Sequence, residues 1–146
     1  MEKGSVLLVE DNLDDEALLR LVWKKNRIQH DLIVAHDGVE ALELLLYSDS
    51  QTHPVKQLQP DLMLLDVKMP RLSGLDVLKE VRRDPRTLLL PVVLLSLSID
   101  EQDLIDGYLL GANSYVRKPV DFIQFSETMS RVLDYWLVHN HPPPRA

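Results

Sequence analysis

Asp61-Leu62-Met63-Leu64-Leu65-Asp66, followed by Val67-Lys68-Met69-Pro70, is the stretch whose reading decides the fold. Its unbroken apolar run, Leu62 to Leu65, reads as a strand buried on both faces, and the run stops abruptly at a carboxylate and a turn. A parallel strand that carries Asp66 to its carboxyl end sets that group where open α/β sheets hold their sites. Two further stretches repeat the pattern. Val6-Leu7-Leu8-Val9 ends in Glu10-Asp11, and Val92-Val93-Leu94-Leu95 ends in Ser96.

Working outward, residues 5–9 form the first strand, and Asn12 or Asp14 can cap the helix after it. Leu18, Leu21 and Val22 share the inner face of that helix, with Arg20, Lys24 and Lys25 turned to water. Residues 31–35 read as a second strand, His36-Asp37-Gly38 as a turn, and Val39 to Tyr47 as a helix. Residues 48–60 are polar, hold two prolines and show no period, which predicts a long loop. The third strand follows at 61–65, and Ser73-Gly74 opens a helix that stops before Asp84-Pro85. Pro91 starts the fourth strand, Asp100 caps the next helix with Leu104, Ile105, Tyr108 and Leu109 as its apolar set, and Gly111 closes it. Residues 113–116 are a short fifth strand ending in Arg117-Lys118-Pro119. Asp121 caps a last helix whose apolar positions are Phe122, Phe125, Met129, Val132, Leu133 and Trp136.

Five strands alternating with five helices predict one α/β domain, a doubly wound five-stranded parallel sheet of flavodoxin-like (βα)5 type over residues 1–138. A proline-rich tail, 139–146, is expected to be disordered or extended. The 146-residue length suits a single core, and the net charge of -7 argues against non-specific binding to nucleic acid or an anionic membrane. Zero cysteines exclude disulfides, thiolate metal sites and cysteine nucleophiles. No apolar run reaches the ~20 residues of a membrane span. With the first strand so close to Met1, a cytoplasmic protein is expected. The five histidines show no metal spacing and read as surface residues.

All topologies open to this pattern gather Glu10, Asp11, Asp66, Ser96 and Lys118 on one sheet edge. Three carboxylates in one space repel each other. A hard divalent cation such as Mg²⁺, which takes oxygen ligands and keeps several waters, resolves the repulsion. A hydroxyl and a lysine beside it can hold the oxygens of a transferred phosphoryl group, with Asp66 attacking phosphorus to give an aspartyl phosphate.

These residues resemble, in order and spacing over roughly 5–138, a receiver domain of the two-component response regulators. The matching features are Glu10-Asp11, Asp66 with Met69-Pro70 and Gly74, Ser96, and Tyr115 with Lys118-Pro119. The resemblance implies that Asp66 accepts phosphate from a sensor histidine kinase in a phosphorelay. It implies that Asp11, Asp66 and the Lys68 carbonyl bind Mg²⁺, with Glu10 acting through a water. Ser96 and Lys118 would contact the phosphoryl oxygens, Ser96 and Tyr115 would form a linked switch, and Lys118-Pro119 would be cis. Output would be a changed protein-binding face on the fourth helix, fifth strand and fifth helix. No DNA-binding module is recognised, so a stand-alone receiver is expected.

The 48–60 loop and Tyr135-Trp136 also resemble single-domain regulators paired with bacterial phytochrome histidine kinases. Tyr135 and Trp136 suit a homodimer through the last helix or the neighbouring face. Lys68 and Ser98 could overhang the phosphate and tune its attack by water. Two rival functions fit the residues less well. A haloacid-dehalogenase-like phosphatase would need an acid where Lys68 stands, and a degenerate receiver acting only as a binding module would not need the intact Asp11, Asp66, Ser96 and Lys118 set. A P-loop enzyme lacks its glycine-rich lysine motif.

Overall fold

A computed structural model of the chain describes residues 4–47 and 57–144. The order is β1 (Ser5–Val9), α1 (Leu13–Lys25), β2 (Asp31–Ala35), α2 (Gly38–Leu42), β3 (Leu62–Asp66), α3 (Gly74–Arg83), β4 (Val92–Ser96), α4 (Glu101–Leu109), β5 (Ser114–Arg117) and α5 (Phe122–Asp134). Helices α2 and α5 each run on into a wider π turn, Glu43–Tyr47 and Tyr135–His139. The strands form one parallel sheet in the order β2-β1-β3-β4-β5. The order reverses between β1 and β3, the place where such sheets open a crevice at the strand carboxyl ends.

Strands β3 and β4 are buried at every position, as their unbroken apolar runs require. Their two faces feed two core layers. Leu7, Val9, Met63, Leu65 and Leu94 pack with Leu78 and Val81 of α3; Val6, Leu8, Leu62, Leu64 and Leu95 pack with Leu19 of α1 and Phe125, Met129 and Leu133 of α5.

Several expectations shift. In α1 it is Leu19 and Val22 that are buried, while Leu21 is exposed, because the inner stripe is set by the tilt of the helix on the sheet as well as by spacing. Phe122, at the first turn of α5, is exposed too, and so are Ile105, Tyr108 and Leu109 of α4, where only Gly107 is buried. Gly107 lies so close to Leu94 and Tyr115 that α4 seats on the sheet through a glycine. Gly111 closes α4 with φ +105°, the left-handed geometry expected of a residue just past a helix end. The central part of the 48–60 loop lies outside the described residues. Residues 57–60 lead into β3 without regular structure, and the Leu58 N–H bonds the Leu44 carbonyl at 3.0 Å.

Candidate phosphoryl-acceptor site

Strand register assembles the site. Pairing sets Val9 beside Leu65, so Glu10 follows level with Asp66. Asp66 itself pairs with Leu95, one residue before Ser96, and Ser96 pairs with Arg117, one residue before Lys118. The Lys118 N–H then bonds the Ser96 carbonyl at 2.7 Å and fixes the chain as it leaves β5. Gly74 locks the other flank. Its N–H bonds the Val67 carbonyl at 2.9 Å, and a side chain there would collide with the Asp66 carbonyl.

Glu10, Asp66, Ser96 and Lys118 are all buried, an arrangement stable only if the charges answer one another. Lys118 Nζ lies 2.7 Å from Glu10 Oε1, 2.9 Å from Asp15 Oδ2 and 3.5 Å from Asp66 Oδ1. Burial is the main force raising the Glu10 carboxyl, to about 8, with the neighbouring Asp66 adding to it and Lys118 opposing. Burial likewise raises Asp66 above its usual range. Lys118 is raised above the ordinary lysine value by Glu10, Asp66 and Asp15, which together outweigh its desolvation.

Glu10, Asp11 and Asp66 each offer a carboxylate oxygen within 4.8 Å of the others, the only such group of metal-ligating side chains among the described residues. Oxygens on opposite sides of one Mg²⁺ would be ~4.2 Å apart, so the cluster fits a small hard cation. No histidine joins it.

The predicted residues therefore come together, with three differences. Lys118-Pro119 is trans, since no cis peptide occurs among the described residues. Trans is the ordinary state of an X–Pro bond, and Lys118 reaches the acids with it. Lys68 extends away from the acids to pair with Asp103 of α4, Nζ to Oδ2 2.8 Å. Tyr115 is half-buried against the core with its hydroxyl already enclosed and unpartnered among the described residues. The residue that sequence reasoning missed is Asp15. It lies one helical turn past Asn12, whose side chain caps α1 and accepts the Asp14 and Asp15 N–H groups, and nothing in that stretch points to Lys118.

A family profile described as the response regulator receiver domain matches residues 6–130. The chain belongs to the response regulator receiver family. This receiver is 33% identical to response regulator Rcp1 of Synechocystis sp. (strain ATCC 27184 / PCC 6803 / Kazusa) over 132 residues, 90% of the chain and 88% of that protein. It superposes on the phosphorylated cyanobacterial phytochrome response regulator RcpA with a TM-score of 0.88 at 31% identity, covering 98% of this chain and 100% of that one. The Mn²⁺-bound form of Rcp1 gives 0.87 at 31% identity, over 97% and 99%. The bacteriophytochrome response regulator RtBRR gives 0.74 at 36% identity, over 98% and 86%. The receiver is thus a two-component response regulator of the flavodoxin-like fold. No described helix is long and apolar enough to cross a membrane.

Proposed function

We propose that Asp66 is the phosphoryl acceptor of this receiver, charged by a sensor histidine kinase with Mg²⁺ and read out through protein contacts. The observation that carries the reading is a buried carboxylate at the end of the central strand, 3.5 Å from a buried ammonium and within metal-sharing reach of Glu10 and Asp11. A bound Mg²⁺ would neutralise the gathered oxygens, held by Asp11, Asp66 and the Lys68 carbonyl, with Glu10 through a water. An Asp66 oxygen forms the new O–P bond as the P–N bond to the donor imidazole breaks, its electron pair staying on nitrogen. Lys118 and Ser96 stand on the two neighbouring strand ends to meet the phosphoryl oxygens. The only reactions carried out are this transfer and the hydrolysis of the aspartyl phosphate, in which water takes the phosphoryl group as inorganic phosphate and the Asp66 carboxylate is freed.

The likeness to phytochrome response regulators supports a bacteriophytochrome-type kinase as the donor. A hollow of about 330 Å³ between α1 and α5, lined by Leu18, Leu21, Phe122 and Phe125 with Lys24 and Lys25 at its rim, supplies an apolar seat for it. For output, Ser96 and Tyr115 form the switch. Leu109 (80% exposed), Val120 (88%) and Ile123 (64%) make the side of α4 and α5 the face for a target or a second copy. Tyr135, stacked edge-on against Trp136 with ring centroids 5.1 Å apart, extends the dimer candidate to the end of the last helix. Residues 1–138 are taken as the receiver unit, in the cytoplasm, with the proline-rich end as a tail.

Incubation with acetyl phosphate and Mg²⁺, read by intact mass beside Asp66→Asn, tests the core of this. A single phosphoryl adduct that needs both the metal and Asp66 is expected. No adduct, with beryllofluoride also failing to bind, would point instead to a phosphorylation-independent binding module.

A further inference from the structure

We infer that Asp15 is a positioning residue for phosphoryl transfer, acting through Lys118. The inference rests on Asp66 being the acceptor and adds a residue to its machinery.

An ammonium has three protons to place, and a buried one must place them well. Two go to Glu10 Oε1 and Asp15 Oδ2, at 2.7 and 2.9 Å, and Asp66 Oδ1 lies just beyond at 3.5 Å. These three carboxyl groups do not have equal duties. Glu10 and Asp66 both belong to the trio whose oxygens gather for a metal, and Asp15 does not. A bound divalent cation would draw on Glu10, and a phosphoryl group would take over an oxygen of Asp66, so both would relax their hold on Lys118 when the site works. Asp15 is the one anion whose hold on the ammonium nothing else contests.

Its own placement is firm. It lies in the first turn of α1, where the helix dipole favours a negative charge, and its N–H is capped by Asn12 Oδ1 at 3.0 Å. Its side chain is only 22% exposed. Helix α1 thereby fixes a lysine delivered by β5, across 103 residues of sequence. Without that anchor the long lysine side chain is free to swing toward whichever acid is uncovered, and it no longer waits beside the acceptor oxygen.

A double-substitution cycle decides the matter, because a residue acting through Lys118 loses its effect when Lys118 is gone. Phosphoryl capture from acetyl phosphate would be timed by intact mass in the unsubstituted chain, in Asp15→Ala and Asp15→Asn, in Lys118→Ala, and in Asp15→Ala with Lys118→Ala. At saturating donor and Mg²⁺, Asp15→Ala is expected to slow capture roughly tenfold in the native background and less than about twofold beside Lys118→Ala. Asp15→Asn, which keeps the size and an acceptor oxygen, is expected to fall between. The Mg²⁺ concentration for half-maximal rate should stay within about twofold, since Asp15 is outside the metal trio. An equal loss in both backgrounds, an unchanged rate, or a large shift in the Mg²⁺ midpoint would each overturn the inference. If the unsubstituted chain captured no phosphoryl group, the reading of Asp66 would fall and this one with it. Capture that ignores Asp15 removes this one alone.

Discussion

Lys68 Nζ lies 2.8 Å from Asp103 Oδ2, which ties the residue two places beyond the acceptor to the first turn of α4. Asp103 raises the Lys68 ammonium above its ordinary value, with Asp100 and Tyr115 adding to the pull. The lysine is well exposed, so the tie is worth little to stability. It does keep the side chain on α4 and away from the acids around Asp66. Lys68→Ala is therefore expected to leave the lifetime of the aspartyl phosphate within about twofold of the unsubstituted value. Decay of the phosphorylated protein followed by mass gives that lifetime, and a several-fold shorter value would mean that the side chain leaves Asp103 to shield the phosphate.

Glu10 predicts a pH dependence. In the unfolded chain it titrates near 4.5, and in the metal-free fold near 8. Below the lower value both states hold the proton; between the two values only the folded state does. The metal-free protein therefore loses stability as pH rises through that window, and this loss ends above it. A cation that needs the ionised carboxylate should bind more tightly over the same range and flatten the slope. Urea midpoints at about pH 5, 6.5 and 8, with and without Mg²⁺, check both halves. A metal-free midpoint that does not fall would show that Lys118 holds Glu10 ionised throughout.

Tyr115 carries a hydroxyl that is enclosed and has no partner among the described residues. An enclosed, unpaired hydroxyl costs free energy, so Tyr115→Phe is expected to stabilise the unphosphorylated protein by about 1 kcal/mol. A lower urea midpoint for the phenylalanine variant would mean that the hydroxyl bonds a buried water.

Arg82 has the opposite character. Its guanidinium donates to the Gly111 carbonyl and the Asn113 side chain, each at 2.9 Å, and to the carbonyls of Thr87 and Leu88. It thereby pins the end of α3 to the turn between α4 and β5. Arg82→Ala would leave several acceptors without their donor and is expected to cost about 2–3 kcal/mol. Thermal or urea unfolding measures it, and a loss below about 0.5 kcal/mol would place the pin elsewhere.

The sheet was legible because β3 and β4 are buried on both faces, which leaves unbroken apolar runs that few other structures produce. The acids at the strand ends were legible for the same reason, since register alone brings Glu10 level with Asp66. Contacts made by long side chains were not. Nothing local in Lys68 says that it turns to Asp103, nor in Asp15 that it meets Lys118, because each pair is closed by how far apart two helices and strands come to rest. The same applies to Leu21 and Leu19, where a helical period gives a stripe and only docking chooses its centre.

Gly74 closes off one direction of movement. With α3 beginning hard against the Asp66 carbonyl, the end of the acceptor strand has no free space on that flank. A residue larger than glycine at position 74 would have to push the acceptor's own backbone aside, so the start of α3 and the place of the carboxylate are set together.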